Sequence, residues 1–505
     1  MRRHLLTRAS IVGAVAVAVV GTTVPAVNAQ PDPDSSALRD AVTVDAVFGH
    51  MEALNDIATA NDGERASGTP GYQASVDYVV GLLEPLGYEI TIQPFDFAFF
   101  DELSPSELQR ISPDPKDFVN GTDFLTMTQS GSGDATAALQ AVDVTIPPGA
   151  AANTSTSGCE ASDFAGFTPG NVALIQRGTC TFFIKATNAE AAGASAVIIF
   201  NEGQPGRDGL LAGTLVTPGI TIPVVGTSFA VGAELYANTQ AGETIVRVFT
   251  DTISEIRETY NVLAETPEGN PRSVMMAGAH LDSVIDSPGM NDNASGTAAI
   301  LETAIQMAEL GIEPPNKLRF AFWGAEELGL LGSAHYVSTL TQSELDKIKM
   351  YLNFDVIASI NGYPFVFTPQ PDDGTPAASA EATEVFNDYF DSVGLPHDPS
   401  PLVPAGSDHG SFLDAGVPAG GLFSGATGIK TEAQAAAYGG TAGEPYDDLI
   451  NSPGDVIERV NLDVLDDMSD AAAHGIFWFA FRTPAQDRPM PAPEISTADP
   501  MRAVA

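Results

Sequence analysis

Apolar positions along this chain follow two spacings. Val79, Leu82, Leu83 and Leu86 recur every three or four residues and predict one face of a helix. Tyr88, Ile90 and Ile92 then alternate with Glu89, Thr91 and Gln93, the period of a half-buried strand. Beyond residue 255 short apolar runs predict strands at 260–264, 273–279, 318–323, 350–354 and 420–423. Between and after them, helical spacing predicts helices at 297–310, 343–348, 382–393 and 462–481. Strands alternating with helices imply an α/β fold, a mostly parallel sheet flanked by helices on both faces. Functional groups are then expected at the carboxyl ends of the strands.

The middle of the chain changes character. Residues 100–170 are rich in Ser, Thr, Gly, Pro and Asp, with short strand-like runs. From Asn171 the order becomes strand (172–175), Arg177-Gly-Thr-Cys180-Thr-Phe, an Ala-rich helix to Ala192, Gly193-Ala-Ser-Ala-Val-Ile-Ile-Phe200, and a strand at 222–225. This stretch resembles a protease-associated (PA) domain, an α+β module over 130–245. The resemblance implies an insert that carries no chemistry and covers or restricts a neighbouring active site. The flanking segments 30–129 and 246–482 are then two parts of one catalytic domain.

The two ends read differently. Arg2 and Arg3, the apolar stretch 11–20 and Val27-Asn28-Ala29 have the order of a secretory signal over residues 1–29. That apolar stretch is short for a membrane anchor, and turn-prone residues follow it. A secreted, extracellular protein is expected. Residues 30–47 are polar and expected to be poorly ordered, and the Pro-rich segment 483–505 reads as a disordered tail.

Charge narrows the partners. The 505 residues carry a net charge of −43, and the signal contributes only arginines, so the remainder is more acidic still. Such a chain lacks the basic face that phosphate contacts need, so nucleic acid is not expected as a partner. No other segment is apolar enough to cross a membrane. In a secreted chain, the pair Cys159 and Cys180 is most simply one disulfide.

The chemistry-bearing residues collect at the predicted strand ends. His280 and Asp282 stand two apart, on the same side of a strand. A neutral imidazole ligates zinc, and Asp282 offers a carboxylate to orient its other nitrogen. Asp292 lies in Gly-Met-Asn-Asp292-Asn293-Ala-Ser295-Gly; its carboxylate has two oxygens to share between two metals, whereas Asn293 and Ser295 suit caps or Asx turns. Glu326 and Glu327 follow the apolar run 320–323, where one can ligate metal and the other accept a proton from attacking water. Asp355 ends the strand 350–354. His409 is compatible with ligation by spacing alone; His474, among three alanines, suits a packed core, and His335 and His397 have no evident partners.

Together, Gly-Ala-His280-Leu-Asp282, Asn-Asp292-Asn, Trp-Gly-Ala-Glu326-Glu327-Leu-Gly and Asn-Phe-Asp355 resemble the secreted double-zinc aminopeptidases of metallopeptidase family 28. The resemblance extends from Asp62-Gly-Glu-Arg65 to His474, interrupted by the insert. It implies a zinc exopeptidase acting on peptides. His280 and Asp355 would hold one zinc, Asp292 would bridge, Glu327 would help hold the second, and Glu326 would be the general base. It also removes His409 from the ligands.

One expected ligand is missing. The family pattern Tyr-Asp-x-x-Tyr-His-x-x-x-Asp aligns with Tyr446-Asp-Asp-Leu-Ile450-Asn451-Ser-Pro-Gly-Asp455, so Asn451 stands where a histidine ligand is expected and Ile450 replaces a tyrosine. The residues that grip a substrate's free amine are also absent from Ser-Pro-Leu-Val-Pro-Ala-Gly406. An amide oxygen is a weaker zinc ligand than imidazole. The second zinc site is therefore expected to be weak, with Asp447 or Asp448 as possible replacements. The alternative is a catalytically weakened relative that binds peptides or proteins. No Gly-x-Ser-x-Gly elbow supports a serine hydrolase.

Overall fold

A computed structural model describes residues 33–370 and 374–482. The expected signal and tail lie outside the described residues.

Seven strands build the peptidase-side sheet, in the order Asp398–Pro401, Phe365–Thr368, Ala419–Phe423, Ile348–Phe354, Asn270–His280, Asn316–Trp323 and Ile245–Glu265. Four central strands, Ala419–Phe423, Ile348–Phe354, Asn270–His280 and Asn316–Trp323, are mutually parallel. The runs Val274–His280 and Met350–Phe354 are buried on both faces. That explains why they read as unbroken apolar stretches rather than alternating ones.

Helices Val44–Ala60, Pro70–Leu83, Ser295–Glu309, Ser379–Val393 and Leu462–Phe481 cover one face and share its core. Leu331–Thr339 and His409–Asp414 cover the other. Leu462–Phe481 starts where the Asn461 side chain accepts the N–H groups of Asp463 and Val464, and its alanines at 471–473 are buried in that core.

Three local expectations are corrected. Residues 36–47 are ordered rather than loose: Ser36–Arg39 is a short helix, Val44 opens the next, and Leu38, Val42 and Val47 are buried in the main core. The segment is anchored because the helices Ser36–Arg39 and Val44–Ala60 both pack against Leu462–Phe481. The helix expected at 343–348 is only Gln342–Leu345, since Ile348 already opens a strand. Ile92 is 46% exposed, because the core that takes Tyr88 and Ile90 does not reach it.

The insert is tied in by a ribbon. Glu89–Ser112 and Ile245–Glu265 run antiparallel along nearly their whole length. One end of the ribbon joins the peptidase sheet through Asn316–Trp323, and the other joins the second sheet through Gly133–Val142. That second sheet continues through Val172–Gln176, Ala196–Phe200, Val224–Thr227 and Phe124–Thr126. The expected start of the insert at residue 130 thus falls after a strand that already belongs to its sheet. Cys159 and Cys180 form a disulfide with S–S 2.06 Å, and the Lys185 ammonium lies 3.6 Å from Cys159 Sγ.

Candidate active site

The ends of the four parallel strands open on one cavity of about 430 Å³. Asp292, Glu326, Glu327 and Asp355 line it, with Phe367, Val403, Phe423 and Ile450 as apolar wall. No residue of the stretch 130–245 lines it; the ribbon approaches instead through Phe95, Phe97 and Phe99, which pack on Ala325.

His280 sits at the centre. Its Nε2 is 3.0 Å from Asp292 Oδ1, 3.2 Å from Asp355 Oδ1 and 3.9 Å from Glu326 Oε2. Its Nδ1 lies 3.1 Å from the backbone carbonyl of Asp282, and the Asp282 carboxylate is farther, at 3.5 Å. The imidazole is therefore oriented mainly by the Asp282 main chain. Asp282 Oδ1 takes up another task, accepting the backbone N–H of Glu326 at 3.2 Å.

Asp355 is held from behind through its carboxylate and Asp292 through its backbone. Trp323 Nε1 donates to Tyr351 Oη (2.8 Å), Tyr351 Oη to Asn353 Oδ1 (2.8 Å), Asn353 Nδ2 to Ser407 Oγ (2.9 Å) and Ser407 Oγ to Asp355 Oδ2 (2.6 Å). Asp455 accepts the N–H of Asn291 on Oδ1 at 2.7 Å and that of Asp292 on Oδ2 at 2.9 Å. The Asp292–Asn293 peptide is cis. Asn293 Oδ1 accepts the Gly296 N–H at 2.9 Å, the capping task its position suggested. Ala325 and Val356, beside Glu326 and Asp355, both adopt positive φ (53° and 58°). Such a conformation in a β-branched residue costs on the order of 1–3 kcal/mol and persists only where its surroundings fix it. Here Ser424 donates to the Val356 carbonyl through its backbone N–H (2.8 Å) and Oγ (2.7 Å), and Ser67 Oγ receives the Ala325 N–H at 2.7 Å.

Arg65 is fully buried beneath the loop. Its guanidinium donates to the carbonyls of Leu281, Pro288 (3.1 Å) and Gly289 (2.8 Å). Burial lowers its pKa to about 10, so it stays cationic near neutrality beside Asp282, Asp455 and Asp292.

Crowded buried carboxylates resist ionisation together. Burial, then the Asp292 charge, pushes Glu327 up to about 10. Burial also raises Glu326 well above its usual range, reinforced by Asp355 and Asp408. His280 is opposed by burial, yet the charges of Asp355 and Glu326 raise it. Asp355 alone is lowered: His280 and the Ser407 hydroxyl outweigh its burial.

A divalent cation would relieve this crowding, and the donors fit one. The ligand atoms of His280, Glu326 and Asp355 lie within 4.8 Å of one another, as do those of His280, Asp292 and Glu327. Two donors bound tetrahedrally to zinc at about 2.0 Å each stand roughly 3.3 Å apart, close to the His280–Asp355 and His280–Asp292 separations. Glu327 Oε1 is buried with no hydrogen-bond partner.

The other candidates fall outside. His409 Nε2 is 2.9 Å from the Val403 carbonyl, and its ring packs on Phe367. His474 bonds Ser35 at 2.8 Å and stacks on Tyr389. His335 and His397 stack on Phe95 and Phe390. Asp447 is committed to Asn291 Nδ2 at 2.8 Å and to Arg459, and Asp448 is exposed against Arg459. Neither replaces the missing histidine; Asn451 lines the cavity. Sequence assigns no role to Ser407, Asp455 or Arg65, although each sits in a segment singled out there: Ser-Asp-His409, the pattern ending at Asp455, and Asp62-Gly-Glu-Arg65.

Comparison with known proteins places this geometry. Residues 261–476 match Peptidase family M28 and 141–235 match the PA domain. An aminopeptidase of Pseudomonas aeruginosa is 44% identical over 87% of this chain and 82% of its own length. A probable leucine aminopeptidase 2 of Aspergillus fumigatus is 35% identical over 85% and 82%. The solved aminopeptidase from Aneurinibacillus sp. strain AM-1 superposes with a TM-score of 0.63, at 25% identity over 91% of this chain and 99% of its own. With its carboxylates and single imidazole gathered at the strand ends, the chain belongs to peptidase family M28 and is a zinc metallopeptidase with an accompanying PA domain.

Proposed function

We propose that the protein is a secreted aminopeptidase that removes apolar residues from the free N-termini of peptides. Relatives named aminopeptidase support the activity. The basic, apolar and small-residue order of residues 1–29 and the Cys159–Cys180 disulfide support export. The observation that carries the reading is the placement of Glu326, its carboxylate 3.9 Å from His280 Nε2, in a cavity walled by Phe367, Phe423, Val403 and Ile450.

His280, Asp292 and Asp355 would hold one zinc, and Asp292 and Glu327 a second, with Asn451 beside it. Zinc held by these residues would supply Lewis-acid polarisation of the scissile carbonyl and a water acidic enough to attack near neutrality. Glu326 takes the proton of the attacking water on its carboxylate and passes it to the leaving amine. Asp282 positions Glu326 through the 3.2 Å bond to its backbone N–H and turns His280 through its carbonyl. The apolar wall receives the side chain of the N-terminal residue. No helix among the described residues is long and apolar enough to cross a membrane.

A catalytically weakened, peptide-binding relative is the second reading, favoured by Ile450 and Asn451 in the lining. Hydrolysis of leucine anilide against its N-acetylated form separates the two. Cleavage of the free-amine substrate alone supports the aminopeptidase; no turnover with either, restored by Asn451→His, supports the binding protein.

A further inference from the structure

Nitrogen is scarce at this site. Among the described residues, the cavity lining contains no histidine, and only His280 reaches its carboxylates from below. One ring nitrogen, Nδ1, faces the Asp282 carbonyl at 3.1 Å. The other, Nε2, is shared between Asp355 Oδ1 at 3.2 Å and Asp292 Oδ1 at 3.0 Å. His280 clusters with Asp355 on one side and with Asp292 and Glu327 on the other, but one lone pair serves only one ion; in the assignment above that ion is the one held with Asp355. What remains for a second ion is Glu327, with its buried, unpartnered Oε1, the other Asp292 oxygen and Asn451. Every one of these donors is oxygen if Asn451 presents its carbonyl, the only ligating atom of a neutral amide.

Carboxylate, carbonyl and water suit hard cations such as manganese and calcium, whereas imidazole favours zinc. We infer that the second metal position is an oxygen-only site that takes a hard divalent cation, so that the working enzyme holds one zinc and one such ion. This rests on the metallopeptidase reading above and adds the identity of the second ion. Asn451 is well suited to its place: its φ is 54°, a left-handed conformation that asparagine and histidine both enter more readily than most residues. Asn451→His is therefore compatible with the backbone.

The test is metal content by elemental mass spectrometry on the full chain, stripped and then offered two equivalents of zinc with a large excess of manganese. Zinc outranks manganese on like donors, so the excess exposes the loss of nitrogen. The expected result is one zinc and one manganese per chain, with a protein-bound manganese signal in electron paramagnetic resonance. Asn451→His converts this to two zincs, and Glu327→Gln loses the manganese and keeps the zinc. Two zincs on the unaltered protein, as on Asn451→His, overturn the inference while leaving the metallopeptidase reading intact. Binding of neither metal by the unaltered protein and by Asn451→His alike overturns both.

Discussion

The Ser407 hydroxyl donates to Asp355 Oδ2 at 2.6 Å, which leaves Asp355 Oδ1 facing His280 Nε2. A carboxylate fixed on one oxygen presents the other in a single orientation, as metal ligands require. Partners of this kind typically account for about 10–100-fold in metal affinity. Ser407→Ala is thus expected to weaken binding of the tighter zinc by about 10–100-fold, read by competition with a chromophoric chelator. An unchanged affinity would show that the Trp323–Tyr351–Asn353–Ser407 chain serves only packing.

Arg65 fastens the loop that carries Asp282 and Asp292 through three backbone carbonyls. Removing a buried charge from among its partners typically costs roughly 3–5 kcal/mol. Arg65→Met is expected to destabilise by that order, measured by denaturant unfolding. Arg65→Lys keeps the charge but not the fork, and it should fall between the two.

How much of this was readable in the sequence follows from where each signal lies. His280, Glu326, Glu327 and Asp355 end or follow an apolar run, so strand-end logic finds them, whereas Asp292 stands in the separate segment Met290–Ala294 and is marked by its Asn-Asp-Asn motif. Asn451 was found because a motif broke there. The roles of Ser407, Asp455 and Arg65 are not visible in the sequence. Ser407 reaches Asp355 across 52 residues, Asp455 reaches Asn291 across 164, and Arg65 and Asp455 act on backbone atoms that leave no residue-type signature. Asp282 is expected to orient His280 through its side chain; its carboxylate does face Nδ1 at 3.5 Å, but its main-chain carbonyl is closer at 3.1 Å, a distinction spacing does not reveal. The ribbon Glu89–Ser112 with Ile245–Glu265 escaped notice for the same reason: pairing across more than a hundred residues is not a local pattern.

Lys185 in the insert is buried, and that burial lowers its pKa from 10.5 to about 8. Between about pH 8 and 10.5 the unfolded chain binds a proton here that the folded chain has released, so stability from this group rises with pH over that window and is lost as pH falls through about 8. The stability of the unaltered protein relative to Lys185→Met is therefore expected to increase from pH 8 to 10.5, followed by chemical unfolding across that range. A pH-independent difference would place the ammonium in solvent.

The disulfide Cys159–Cys180 closes a loop of 21 residues. Crosslinks of this size contribute roughly 3 kcal/mol. Cys159→Ser with Cys180→Ser is expected to lower the unfolding midpoint of the insert while leaving kcat on a short substrate unchanged, because no residue of the stretch 130–245 lines the cavity. A fall in kcat would show that the insert acts on the site.

The most direct measurement is kcat/KM for leucine anilide and N-acetyl-leucine anilide, with the unaltered protein and Glu326→Gln side by side and the metal content of each recorded. An aminopeptidase with Glu326 as its base cleaves only the free-amine substrate, and Glu326→Gln loses about 10²–10⁴-fold in rate while keeping its metal. Equal cleavage of the acetylated substrate, or a Glu326→Gln protein as fast as the unaltered one, would contradict it.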